Sequence, residues 1–285
     1  MTMRALARAG WLLMATRAVA GPPTIDLVVL ESRAPEPSLA AVFESWASAP
    51  GDGWLGWHVP MRPGQGWLCC WGGKDARWRQ MVCDLEGNHH HLVSLSERPV
   101  GLVDNRNLLI LMHRRDGRLD DLRVFTDGCP LRADGAALLW LEEVETEASV
   151  ALMEGLAQRS TVAEEAVMAL SLHDAPSALQ RLAFLARRAQ DSDVRGDALF
   201  WLAQTGAPDA LPVLLEALSE DPRSEVREQA IFAVSLLPGG EGSAVLLQLA
   251  RDRTQPSSLR QEAFFWFVQA DQERALELID QILSR

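Results

Sequence analysis

Four cysteines, Cys69, Cys70, Cys83 and Cys129, stand close to three adjacent histidines, His89, His90 and His91. Thiolate beside imidazole is zinc chemistry, whereas an even cysteine count behind an export signal makes disulfides. The spacing favours disulfides. Cys69-Cys70 followed by Cys83 is no C-x-x-C, and adjacent ligands point in different directions. Adjacent cysteines also bridge one another poorly, because the peptide joining them must distort. Cys69 and Cys70 therefore each pair with one of Cys83 and Cys129. Cys70–Cys83 with Cys69–Cys129 is the first choice, and the swapped pairing stays open. The histidines are expected on a surface turn after Gly87-Asn88. No metal and no cofactor is expected.

Catalytic constellations are missing as motifs. The chain has no G-x-S-x-G, no G-x-x-x-x-G-K-[ST], no G-x-G-x-x-G and no H-E-x-x-H. His58, His113 and His173 have no partners at motif spacing. The adjacent acids Asp120-Asp121 and Glu142-Glu143 are read as solvated turn or strand-end residues. The expectation is a non-enzymatic binding or scaffold protein. The alternative is a metal-binding or lyase-type enzyme using the Cys/His-containing segment.

The elements around these residues divide the chain. Residues 1–20 carry Arg4 and Arg8, the short apolar run Ala9 to Ala15, and Ala18-Val19-Ala20 before Gly21. This is the layout of an export leader, although Arg17 interrupts it. A periplasmic or secreted location follows as an expectation. Later stretches fall short of the roughly 20 apolar residues that a membrane helix needs, so no integral span is expected. Net charge is −12, which disfavours nucleic acid as a partner.

Residues 21–147 lack helical periodicity and are rich in Gly, Pro and Trp. Strands are expected at Thr24 to Leu30, Leu108 to Met112, Leu122 to Phe125 and Ala137 to Leu141, with a hairpin turn at Asp116-Gly117. One helix is expected at Ser38 to Ser48. The tryptophans of Gly53-Trp54-Leu55-Gly56-Trp57 and its echo Gly66 to Trp71 are read as core, since each ring removes a large apolar area from water.

Residues 148–285 repeat. Val162, Val194, Val226 and Leu259 recur at steps of 32, 32 and 33, and each is followed four positions later by Ala166, Ala198, Ala230 or Ala263. Repeats of this period are helix pairs that bury their apolar faces only by stacking on neighbours. Ser160, Ser192, Ser224 and Ser257, two positions before the register residue, are expected to cap the second helix of each pair. Gly206 and Pro238-Gly239-Gly240 are expected to end two of these helices. The fold class is α+β: a β-rich N-terminal domain followed by an all-α solenoid of about four helix pairs and a C-terminal helix.

The V-R-x-x-A pattern, preceded by acidic loop residues Asp191, Asp193 and Asp221, resembles HEAT repeats, especially the HEAT-like type of the phycobilisome lyases. The likeness covers about residues 149–285. It implies that Arg195, Arg227 and Arg260 form a structural ladder with acids of neighbouring repeats, and that the first copy, with Ala163 in place of Arg, is a degenerate cap. It further implies that a protein or peptide partner lies on the concave face, which the second helices line.

Six positions after the register residue stand Met168, Phe200, Phe232 and Phe265, and Trp201 and Trp266 follow directly. At about 100° per residue this column points away from the core side. An apolar stripe in such a place marks an interface. Either the protein's own N-terminal domain covers it or an external peptide does.

Overall fold

The computed structural model describes residues 25–26, 29–64, 67–70, 83–85, 92–95, 107–126, 129, 131–133, 135–159 and 161–283. The predicted leader, His89 to His91 and the tryptophans at 71 and 78 lie outside these residues.

The N-terminal half is built on a five-stranded sheet in the order β2-β10-β3-β7-β8. Its strands are β2 (Val29–Arg33), β3 (Gly53–Pro60), β7 (Asn107–Arg115), β8 (Arg118–Thr126) and β10 (Ala137–Leu141). β10 runs parallel to both β2 and β3, whereas β7 is antiparallel to β3 and β8. A three-stranded parallel sheet joins β1 (Ile25–Asp26), β9 (Leu131–Arg132) and β5 (Cys83–Asp84). β4 (Trp67–Cys70) pairs antiparallel with β6 (Leu92–Leu95).

Local chemistry explains several boundaries. Between β7 and β8 the chain turns on Asp116 and Gly117, with φ of 50° and 72°. Two successive positive φ values match the right-handed twist of the strands they join. Helix α1 (Leu39–Ala47) starts where Ser38 Oγ accepts from Ala41 N at 3.2 Å. Gly56 is needed for close approach, because a Cβ there would lie 2.5 Å from Leu111 and 3.3 Å from Trp140.

Both faces of the main sheet are buried. Leu55, Trp57 and Val59 of β3, with Leu108, Ile110 and Met112 of β7, face the helices. Trp54, Leu109, Leu111, Phe125 and Trp140 point the other way, onto Cys83, Leu85, Cys129 and Leu131. This alternation is the two-residue period of a strand. A sheet covered on both sides lacks the apolar/polar alternation that usually marks a strand. For that reason β3 reads in sequence as a tryptophan cluster rather than as a strand.

The C-terminal half is helical: α2 (Thr146–Arg159), α3 (Ala163–Leu172), α4 (Pro176–Arg188), α5 (Ser192–Gln204), α6 (Ala210–Glu220), α7 (Ser224–Ser235), α8 (Glu241–Arg251), α9 (Ser257–Ala270) and α10 (Gln272–Leu283). α3, α5, α7 and α9 are the second helices and touch in that order. In the first-helix layer α4 touches α2 and α6, less extensively than the second helices touch one another. Ala166, Ala198, Ala230 and Ala263 are all fully buried, and their small side chains let the layers close. Gly206, at φ 62°, ends α5, and Gly240, at φ 79°, precedes α8.

The expected serine caps are corrected. Ser192, Ser224 and Ser257 are the first helical residues of α5, α7 and α9, one position too late to cap. Asp191 caps α5 instead, accepting from Asp193 N at 2.9 Å. A carboxylate there also favours the positive end of the helix dipole. Ser160 lies outside the described residues.

The two halves share one core, continuous from the sheet's helix-facing side through α2 and α3 to α9. The seam is hydrogen-bonded as well. Arg62 N donates to Leu172 O at 2.8 Å and Asp174 N to Pro60 O at 2.9 Å. The Arg62 guanidinium donates to the carbonyls of Ser171 and His173, both at 3.0 Å.

Candidate functional site

The residues first suspected of chemistry have structural employment. His173 sits at the seam and is wholly buried. Its Nδ1 donates to Ala169 O at 2.6 Å, so in the neutral ring Nε2 is the acceptor. Ser149 Oγ donates to that Nε2 at 2.8 Å and itself accepts from Trp57 Nε1 at 3.0 Å. Burial, aided by the Arg62 charge and opposed by Ala169 O and Glu147, lowers the His173 pKa to about 4. The Ser–His contact is thus a sealed, neutral relay joining strand β3 to α2 and α3, out of reach of any substrate.

Other candidates are similarly engaged. His113 Nδ1 lies 2.7 Å from Asp120, which also meets Arg115 at 3.4 Å. Asp121 pairs with Arg123 at 2.8 Å. His58 packs edge-on against Trp140. Cys83 and Cys129 are buried, with sulphurs 3.4 Å apart. Among the described residues no three His, Cys, Asp or Glu side chains gather as a metal site.

The arginine column is unequal. Arg195 grips Asp221 of the following repeat through Nε at 2.7 Å and Nη2 at 3.0 Å, and its Nη1 donates to Ala189 O at 2.9 Å. Burial works to raise the Asp221 pKa, but the hydrogen bonds from Arg195 and from Arg223 N hold it below the usual carboxylate range. Arg227 makes the corresponding carbonyl bond, Nη1 to Asp221 O at 2.7 Å. Arg260 Nε is buried without a hydrogen-bond partner. Among the described residues the expected ladder therefore has one charged rung, from α5 to the loop before α7.

The aromatic column forms a connected chain of rings across α5, α7 and α9. Phe200 stacks on Phe232 at 6.0 Å with planes 14° apart, and Phe232 meets Trp266 at 4.5 Å. Trp201 closes one end against Phe200 and Phe265 the other against Trp266, each at 5.0 Å. Trp201 and Trp266 also lean on the core, as Met168 does on α3. Phe265 is 51% exposed and Phe264 beside it 40%. The strands pack on α2 and α3; among the described residues none does more than touch α5, α7 or α9. Four of the five rings are partly buried and Phe265 is exposed, and large aromatic side chains of this kind are enriched at interfaces.

A second column went unseen in the sequence reading. Three positions after the register residue stand Glu165, Asp197, Gln229 and Glu262, each three residues before the matching Met or Phe. At that spacing the two columns are neighbours on the same helix face. Burial, then repulsion from Glu164, Asp193, Asp191 and Glu165, raises the Asp197 pKa to about 6. Burial is also the main cause raising the Glu165 pKa, with Glu164 and Asp121 adding to it. Glu262 Oε1 accepts from Trp266 Nε1 at 2.7 Å. The signal was present in the repeat register, but a column of Glu, Asp, Gln and Glu at the margin of the core resembles ordinary solvated surface.

No helix among the described residues is long and apolar enough to cross a membrane. A comparison with curated proteins finds no match. Residues 185–265, from the last turn of α4 to the middle of α9, match the family model of HEAT repeats, a stretch that holds four of the five rings.

Proposed function

We propose that this protein is a non-enzymatic scaffold that holds a protein or peptide partner on the second-helix face of its HEAT array. HEAT repeats suggest protein partners. The observation that carries the choice of face is the ring chain Trp201–Phe200–Phe232–Trp266–Phe265, open at Phe265. Second helices packed more closely on one another than the first helices give the inner curve of a solenoid, where partners seat. A photo-crosslinking side chain at position 265 should yield a defined adduct with one partner protein. The same group at the exposed Phe184 of α4 should not. Equal labelling from both places removes the proposed face.

We place this scaffold in the cell envelope, on the leader-like residues 1–20 and the cysteines. Cys83 and Cys129 touch without a bond between them, which leaves each to pair with Cys69 or Cys70. Intact mass after expression with the native leader tests both points. Loss of residues 1–20 and of four hydrogens is expected; an uncleaved chain with free thiols removes the envelope placement.

A further inference from the structure

We infer that the occupant of the ring chain is a cationic, apolar peptide segment of a partner protein, whose Lys or Arg side chains meet the carboxylate column while its Leu, Phe or Trp side chains meet the rings. This rests on the reading that the second-helix face is the docking face, and adds what docks there.

Two independent features converge on such an occupant. The first is the half-exposed ring chain, whose aromatic faces attract both apolar groups and cations. The second is charge along its edge. Glu165 and Asp197 are half-buried, and Glu164 and Asp193 adjoin them. Glu262 continues the column at the far end of the rings. Among the described residues, none of these five carboxylates forms an ion pair. Of the cations on neighbouring strands and helices, Arg123 pairs with Asp121 and Arg195 with Asp221, and Arg260, two positions before Glu262, lies in the field of Asp252. Half-buried acids with no counter-charge destabilise a fold, and burial together with like-charge neighbours holds Asp197 toward its protonated form. A cationic occupant would supply the counter-charge they lack. A neutral apolar peptide would leave them unpaired and more deeply buried, and an anionic surface would be repelled.

The test uses the full chain and three fluorescent amphipathic peptides with the same Leu and Phe positions. The polar positions are all Lys, all Glu or all Ser. Anisotropy at about 0.15 M salt should show the Lys peptide binding at least tenfold more tightly than the Ser peptide, with the Glu peptide weakest. Glu165→Gln with Asp197→Asn should weaken the Lys peptide about tenfold. Asp209→Asn with Glu220→Gln, an equal charge change on the first-helix side, should change it less than twofold. Phe265→Ala should weaken both the Lys and the Ser peptide.

Equal binding of the three peptides overturns the inference, as does equal weakening by the two charge-neutralising variants. If Lys-peptide binding is indifferent to Phe265→Ala, the docking face falls with it. If no peptide binds while the crosslinker at position 265 still captures one defined partner, the docking face stands and the cationic occupant does not. Two other occupants also overturn it. One is a second copy, seen as dimerisation that Phe265→Ala abolishes. The other is the chain's own first residues, seen as tighter peptide binding by the Arg4→Glu, Arg8→Glu full chain.

Discussion

The two ends of this molecule use the same large aromatic residues for opposite purposes. At the sheet end, Trp54, Trp57, Trp140 and Phe125 are at most 2% exposed, and the one indole that meets a helix, Trp57, has its N–H satisfied by Ser149. At the far end, Phe200, Phe232, Trp266 and Phe265 cover one another and leave an open edge. The polar groups differ in the same sense. The seam holds a neutral histidine with both nitrogens bonded, whereas among the described residues the carboxylates beside the rings form no ion pair. One end is closed by its own chain; the other leaves the edge of a ring row exposed at Phe265.

The largest effect should come from breaking the finished end. Trp57→Ala removes a fully buried ring and strands the Ser149–His173 relay. The loss should reach about 3–5 kcal/mol, read as a fall in the urea midpoint with the slope unchanged. Next is the single charged rung. Arg195→Ala leaves Asp221 buried without its partner and should cost about 3 kcal/mol. Arg227→Ala loses a carbonyl hydrogen bond and should cost about 1 kcal/mol. Arg260→Ala has no ion pair to lose and should cost least of the three. Equal costs down the column would mean that register, not the Asp221 contact, sets the role of these arginines.

Those arginines also mark how far sequence reaches. The repeat was legible because a 32-residue period survives drift, and the helix pairs, the buried alanines and the Gly206 stop follow from it, whereas Pro238 to Gly240 form a short turn of their own that leads into α8. The ring column was legible for the same reason, since position six of a helix points away from positions zero and four. What a residue touches in another repeat was not. Nothing in V-R-x-x-A tells that Arg195 finds Asp221 while Arg260 finds no hydrogen bond for its Nε. The serines were misplaced by one residue because aspartate and serine stand side by side in the loop before α5, and either can cap. Strand β3 and the core shared by the two halves were hidden because they depend on which elements cover the sheet.

Acid titration separates the two ends by sign. His173 is held neutral down to about pH 4 in the folded state, whereas in the unfolded chain it titrates near 6.5. Between those values the unfolded state binds more protons. Stability contributed by His173 is therefore full above pH 6.5 and falls as pH drops toward 4, by at most about 1.4 kcal/mol per unit. Asp197 runs the other way. Its folded pKa, about 6, exceeds the unfolded 3.8, so the folded state binds more protons and stability rises as pH falls from 6 toward 4. In the wild type the two oppose each other. His173→Gln should make the protein gain stability over that window, and Asp197→Asn should steepen its loss. Asp197→Asn should also raise the melting temperature at pH 7.5, where the wild-type carboxylate is charged and unpaired. Parallel pH profiles for both variants would erase the distinction between a finished end and an open one.

The smallest effect is the most telling. Phe265 is half exposed and ends the ring chain, so Phe265→Glu removes little buried area and places its charge in water. Surface changes of this kind stay within about 0.5 kcal/mol, and the melting temperature should hardly move. Phe232→Glu, set between Phe200 and Trp266, should cost more, because a charge there is partly desolvated. A fall of several degrees for Phe265→Glu would mean that the ring is covered by the chain's own residues, so that both ends are finished alike. A stable Phe265→Glu variant that loses its partner leaves the opposite conclusion: the far end keeps its rings for an outside surface, at little cost to the fold that presents them.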